Sequence, residues 1–103
     1  MSICVSINEC ADQTYNVEVN KTAVVRCGYS SSADYPVWSF SFPNGTFIRL
    51  NINERFNPKL PCFDRIYWVD RRHLEIRSLA KEDQGVYHCE VDSWSVQLTA
   101  IGI

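Results

Sequence analysis

Short segments in which apolar and polar residues alternate follow one another along this chain at intervals of about ten residues. In one of them, Leu74 and Ile76 alternate with Glu75 and Arg77. A period of two is typical of strands that have one buried and one exposed face. The pattern predicts an all-β fold whose first strand is split into A, Ile3–Ile7, and A′, Tyr15–Val19. The other predicted strands are B at Lys21–Tyr29, C at Val37–Phe42, C′ at Phe47–Ile52, D at Arg65–Val69, E at Leu74–Ser78, F at Gly85–Val91 and G at Trp94–Ile101.

The segments between the strands contain residues that favour turns. Pro43–Thr46 includes an Asn-Gly pair, which readily adopts positive φ, and predicts a hairpin turn. Asn53–Phe63 contains two prolines and is expected to be a loop with a ragged edge. Gly85 follows the strand at Leu74–Ser78 and suits a tight corner that a side chain would obstruct.

Six residues occur in an order that resembles the immunoglobulin superfamily: Cys27, Trp38, Asp83, Gly85, Tyr87 and Cys89. The resemblance implies a two-sheet sandwich in which the first and last of these form an inter-sheet disulfide packed on the tryptophan. The tyrosine would form a corner through its hydroxyl group. Space between the two cysteines for a strand C′ favours a V-set-like domain, with an I-set domain as the alternative.

The same resemblance implies an ion pair between strand D and the turn before strand F. Its acid would be Asp83, and its arginine would be Arg65, which opens the predicted strand D. Arg55 is a competing match, but it lies farther from strand E in the sequence. We therefore expect Arg65 to pair with Asp83.

Five cysteines in a small chain point to an oxidising compartment. Two sequons, at Asn20 and Asn44, agree with secretion and predict glycosylation. Beyond the core pair, Cys4, Cys10 and Cys62 leave at least one cysteine without an intrachain partner. We favour a local Cys4–Cys10 bridge and an unbridged Cys62, and the pairing of these three stays open.

Length and charge limit the possible functions. The 103 residues suffice for a single domain, 1–103, and a net charge of −2 does not favour nucleic acid or a membrane surface. No apolar run approaches the ~18 residues of a membrane span. We interpret the chain as an excised extracellular fragment of a parent protein that has a signal peptide and a single-pass membrane anchor.

The sequence does not favour an enzyme or a cofactor-binding protein. His73 and His88 are the two possible imidazole bases, and both are expected on the surface. No phosphate loop, nucleophile elbow or cluster of metal ligands is evident. We therefore expect no catalytic residues, cofactor or metal.

The alternation that places Trp38 and Cys89 inward also predicts the outward residues of strands C, C′, F and G. Domains that resemble this one usually meet protein partners through that sheet. The expected partner-binding residues are Val37, Ser39, Phe47, Arg49, Asn51, His88, Glu90 and Gln97, with Ser41, Ser95 and Thr99 on the same face. An imidazole beside Glu90 would make binding sensitive to pH.

The resemblance implies a cell-surface adhesion or recognition domain that binds protein, with homophilic contact through Arg49 and Glu90 as one form. A heterophilic immune receptor or counter-receptor domain, including a viral mimic, is an alternative. A structural module without a binding face is another. The short F–G connection at Asp92-Ser93 argues against an antibody-like receptor chain.

Overall fold

The computed structural model describes residues 3–6, 9–28, 35–91 and 93–102, and their side chains from residue 12 onward. Apart from one 3-10 turn at Lys81–Asp83, the regular structure in these ranges is all β. The strands are β1 Ile3–Ser6, β2 Glu9–Ala11, β3 Gln13–Glu18, β4 Ala23–Arg26, β5 Trp38–Ser41, β6 Phe47–Arg49, β7 Asn51–Ile52, β8 Arg55–Phe56, β9 Ile66–Trp68, β10 His73–Ile76, β11 Gly85–Cys89 and β12 Trp94–Ile101.

Two main sheets contain most of these strands. The five-stranded sheet has the order β3-β12-β11-β5-β6, and the three-stranded sheet has the order β4-β10-β9. Strands β1 and β2 form a separate antiparallel pair, as do β7 and β8. Within the main sheets β3 and β12 run parallel, and the other pairings are antiparallel.

The inward side chains of both main sheets belong to one apolar core. Val25 and Leu74 come from the three-stranded sheet, and Phe40 and Leu98 come from the five-stranded sheet. Each is buried, and burying a side chain of this size contributes about 1.5–3 kcal/mol. A disulfide between Cys27, which follows β4, and Cys89 in β11 joins the two sheets. The arrangement is consistent with a β-sandwich.

Gly85 allows two strands to pack closely. A Cβ atom at this position would lie 2.4 Å from the carbonyl oxygen of Ser41 and 2.6 Å from Cε1 of Phe40. Any other residue would therefore force β11 away from the neighbouring strand β5. The sequence predicted a tight corner here, and the close approach of the two strands gives the physical reason for glycine.

The beginning of the chain differs from the prediction. The predicted strand Ile3–Ile7 corresponds to β1, Ile3–Ser6, and its last predicted residue, Ile7, lies outside the described part of the chain. Strand β1 pairs with β2 as a hairpin. The prediction had treated this segment as the first half of a split strand. The hairpin places Cys4 opposite Cys10, but the side chains of both cysteines lie outside the description.

Most other strands are shorter than predicted. Strand B was predicted over Lys21–Tyr29 and extends over Ala23–Arg26, with Tyr29 outside the described residues. The predicted C′ strand, Phe47–Ile52, is interrupted at Leu50 and continues as β7. The predicted loop at Asn53–Phe63 contains β8, which pairs with β7. Trp94–Ile101 has the predicted bounds.

Candidate functional site

The outward side chains of β5, β6, β11 and β12 lie in rows across the five-stranded sheet. In one row, Arg49 is opposite Ser39, which is opposite His88. In the next row, Phe47 is opposite Ser41. The Glu90 N–H donates to the Val37 carbonyl and brings these residues together at the end of β5 and β11. We call Val37, Ser39, Phe47, Arg49, His88, Glu90 and Gln97 the candidate face.

A shallow depression of about 420 Å³ lies within the candidate face. Its lining includes Val37, Phe47, Arg49 and Glu90. Phe47 is 67% exposed, the highest exposure of any large apolar residue in the described part of the chain. An aromatic side chain beside an arginine is the composition found where protein interfaces are strongest.

The charged side chains on the candidate face form few ion pairs with other described residues of the chain. His88 Nε2 lies 3.8 Å from the carboxylate of Glu90. Arg49 is exposed, and in the ranges that the structure describes no carboxylate lies within ion-pair distance of it. Among the described residues, the guanidinium donors of Arg49 therefore have no charged acceptor.

Asn51 was predicted to belong to this face, and that prediction is wrong. The residue is fully buried, and its side chain accepts from Trp38 N–H (2.8 Å) and donates to the carbonyls of Pro36 (2.9 Å) and Asn53 (2.7 Å). The physical reason is the interruption at Leu50, which ends the alternation of β6 before Asn51 is reached. Asn51 connects β5 to the β7–β8 hairpin instead.

Ser41 and Ser95 were also expected to be exposed on this face, and both are buried. Asp12 packs over Ser95: its backbone N–H donates to the Ser95 carbonyl, and its Oδ2 accepts from the Ser95 N–H at 2.9 Å. Gln97 and Thr99 are half-buried. The accessible centre of the face is therefore narrower than predicted and lies towards β5 and β6.

The outer face of the three-stranded sheet has a different character. Val24, Glu75 and Tyr67 form a row across its three strands. Arg77 is ion-paired with Glu75 and lies 3.9 Å from the centroid of the Tyr67 ring. Hydrogen bonds from His73 hold the pKa of Asp70, in the turn before β10, below its ordinary value. These charged groups have partners within the fold.

The Asp83 cluster, which comprises Cys62, Arg65, Asp83 and Tyr87, contains the ion pair implied by the resemblance. The Arg65 guanidinium donates to both Asp83 carboxylate oxygens, at 2.7 and 2.9 Å. It also donates to the carbonyl groups of Pro61 and Ser78. The Tyr87 hydroxyl donates to the Asp83 carbonyl at 2.7 Å. Arg55, the competing match, lies elsewhere, in β8.

The remaining member of this cluster, Cys62, has a buried free thiol. Burial raises its pKa to about 12, and the nearby Asp83 carboxylate adds to the increase. Tyr87 forms a side-chain hydrogen bond with this thiol, and the pKa of Tyr87 is raised well above its ordinary value, chiefly by burial. The sequence indicated that Cys62 was unbridged but not that it was buried.

Both predicted glycosylation residues are exposed. Asn20 lies in the turn after β3 with φ +71°. The side-chain oxygen Oδ1 of Asn44 accepts from Thr46 N–H at 3.0 Å and from the Thr46 hydroxyl at 2.7 Å. Both asparagines are therefore sterically open to a glycan.

Sequence reasoning missed an aromatic cluster next to the candidate face. The Trp68 ring stacks on Phe56, with centroids 5.4 Å apart, and contacts Tyr35 at 4.6 Å. Trp68 Nε1 donates to the Glu54 carbonyl at 3.0 Å. These contacts attach the β7–β8 hairpin to β9. The composition gave one signal, since Phe56 occurs in otherwise polar surroundings.

No protein-family model matches this chain, and no curated protein matches its sequence. Over the ranges described, no helix is long and apolar enough to cross a membrane. The same ranges contain no group of histidine, cysteine and acidic residues arranged to hold a metal ion. Functional inference therefore depends on the residues of the site itself.

Proposed function

We propose that this chain is an extracellular recognition domain of the immunoglobulin type, V-set-like in form, that binds protein partners through the candidate face. The observation that carries the proposal is that two suitable residues line the same depression. Phe47 is a highly exposed aromatic residue, and Arg49 has no ion-pair partner in the described ranges. Exposed apolar patches with a polar rim are typical of interaction sites, and Val37 and Phe47 line the same depression beside Arg49 and Glu90.

The immunoglobulin and V-set parts of the proposal have separate support. The disulfide between the sheets, the tyrosine hydroxyl bond and the Arg65–Asp83 pair occur together, as the resemblance implies. The strands β6, β7 and β8, which lie between β5 and β9 in the chain, correspond to the C′ region that favours a V-set over an I-set domain. The disulfide also supports an extracellular location.

Self-recognition is one form of the proposed activity that has a specific observation in its favour. Arg49 and Glu90 carry opposite charges and line the same depression. Two copies related by a two-fold axis can therefore place Arg49 of each copy against Glu90 of the other. Sedimentation across a concentration series tests this form, because a reversible dimer supports it and a monomer at all concentrations refutes it.

The general proposal is tested by substituting residues on the two outer faces. Cell-surface proteins would be screened for binding to the purified domain, and any binding or self-association would be measured for Phe47→Ala, Arg49→Glu and Arg26→Glu. We expect the first two variants to lose about 2 kcal/mol or more of binding free energy, as central aromatic and arginine residues do. Arg26→Glu, on the other sheet, is the matched control.

Two results would contradict the proposal. Loss of binding in Arg26→Glu with retention in both other variants would place the site on the three-stranded sheet. Absence of self-association together with absence of any binding in the screen would favour a structural module. Retained folding of each variant would be checked by thermal unfolding.

A further inference from the structure

A second depression lies beside the candidate face, between β6 and the β7–β8 hairpin. It has a volume of about 400 Å³, and its lining includes Arg49, Ile52, Arg55, Phe56 and Pro58. Ile52 is 64% exposed. The groove thus combines an apolar surface with two arginines, and it shares Arg49 with the depression on the candidate face.

Several contacts hold the walls of this groove in place. Buried Asn51 connects the hairpin to β5 through its hydrogen bonds with Trp38 and Pro36. The Asn57 side chain donates to the Arg49 carbonyl at 2.9 Å, and its backbone N–H donates to the Leu50 carbonyl at 2.8 Å. A groove that is already formed loses little conformational entropy when a ligand binds.

The local charge of the groove is opposite to that of the chain. Residues 47–59 contain three cations and a single anion, Glu54, whereas the chain as a whole has a net charge of −2. Across the described ranges, no carboxylate lies within ion-pair distance of Arg49 or Arg55. Two copies meeting groove to groove would bring like charges together, which is unfavourable.

We propose that this groove binds a segment of a partner protein in which an aspartate or glutamate is flanked by apolar side chains. Arginine forms planar, paired hydrogen bonds with a carboxylate, and Ile52, Phe56 and Pro58 offer apolar contacts to the flanking residues. This inference rests on the proposed function, because it assumes that the domain binds protein. It adds the chemical nature of the partner segment.

The test uses a random peptide library displayed on phage and selected against the folded domain, its Arg55→Glu variant and its Arg26→Glu variant. The wild type and Arg26→Glu should enrich peptides that carry an acidic residue between apolar residues. Arg55→Glu should lose that enrichment. A selected peptide, made synthetically, should bind about tenfold more weakly, equivalent to about 1.4 kcal/mol, when its acid is replaced by the amide.

Each alternative outcome has a defined meaning. Enrichment without acidic residues, or equal enrichment by Arg55→Glu, overturns the inference. If Arg55→Glu changes self-association but not peptide binding, the groove is an interface between copies and the inference is also wrong. The proposed function is judged separately by Phe47→Ala, because Phe47 lines the first depression and not the groove. The thermal unfolding of Arg55→Glu should match that of the wild type, which shows that any loss of peptide binding does not come from unfolding of the variant.

Discussion

Two arginines of this domain, Arg65 in the Asp83 cluster and Arg49 on the candidate face, have opposite surroundings. Arg65 donates to both oxygens of a buried carboxylate and to backbone carbonyls, and these hydrogen bonds with Asp83 raise its pKa. Arg49 is exposed and has no ion-pair partner in the part of the chain described. The first arginine stabilises the fold through a buried partner, whereas the second has no charged partner among the described residues.

This difference predicts that stability and the proposed recognition depend on different residues. A buried ion pair is costly to break because removal of one partner leaves the other charge uncompensated. An exposed side chain without a partner contributes little to folding, so its replacement changes stability little. Substitutions in the two regions should therefore change different measured quantities.

The largest effect on stability is expected for Asp83→Ala. Loss of the carboxylate leaves Arg65 without its buried partner and also removes the acceptor of the Ala80 N–H. We expect a loss of about 3–5 kcal/mol in the free energy of unfolding. Urea unfolding followed by tryptophan fluorescence measures it.

Asp64→Ala is the matched control for this prediction. Its carboxylate lies 3.7 Å from Arg65 Nε but its side chain is 84% exposed, so the stability should change by about 0.5 kcal/mol or less. Phe47→Ala should also unfold nearly as the wild type does. Equal losses for Asp83→Ala and Phe47→Ala would remove the distinction between the two regions.

A smaller loss of stability is expected for Asn51→Ala. This variant tests whether Asn51 lies outside the candidate face. The substitution leaves Trp38 N–H and two carbonyl groups without their partner, and the expected cost is about 1–3 kcal/mol. The same unfolding measurement applies. The neighbouring change Ile52→Ser, at an exposed position, should cost less. If Asn51→Ala kept full stability but lost binding, Asn51 would belong to the binding surface after all.

Cys62 provides a prediction that depends on pH. Since the folded protein holds the thiol proton more tightly than the unfolded chain does, this stabilisation is complete below pH 9 and is lost as pH rises towards 12. At pH 8 the native thiol should therefore react with iodoacetamide far more slowly than the urea-unfolded thiol. Mass spectrometry of the alkylated peptide measures both rates. Similar rates would show that Cys62 is accessible.

The smallest effect is expected for Arg77→Ala on the three-stranded sheet. Its contacts with Glu75 and Tyr67 are exposed to solvent, where such interactions are weak. The midpoint temperature of thermal unfolding should fall less than it does for Asp83→Ala or Asn51→Ala. Partner binding should not change. A loss of partner binding in this variant would transfer the recognition role to the other sheet.

Strands in the middle of the sheets could be predicted from the sequence. The alternation of β10, β11 and β12 predicted inward side chains that are buried, such as Leu74, Ile76 and Cys89, because each of these strands has a neighbour on both sides, which fixes its register. Ser95 in β12 is an exception, because Asp12 packs over it on the outer face. The motif around Asp83 and Tyr87 also predicted its contacts, since those are local in the chain or follow from the resemblance. The Arg65–Asp83 pair was found in this way.

The edge of the five-stranded sheet could not be predicted in the same way. Strand β6 has a neighbour on one side only, so nothing in the alternation shows that it stops after Arg49. Asn51 was misplaced for that reason. The contacts of Trp68 with Phe56 and Tyr35 join segments far apart in the chain, and a period of two carries no information about them. Partner recognition itself stays a prediction.

The parallel pairing of β3 with β12 has a mechanical consequence. The two strands are aligned in register from Gln13 opposite Val96 to Glu18 opposite Ile101. Tension applied between the start of β3 and the end of β12 therefore pulls along the direction of the strands. The hydrogen bonds between them then carry the load together, in shear, whereas a hairpin pulled at its open end would release its bonds one after another.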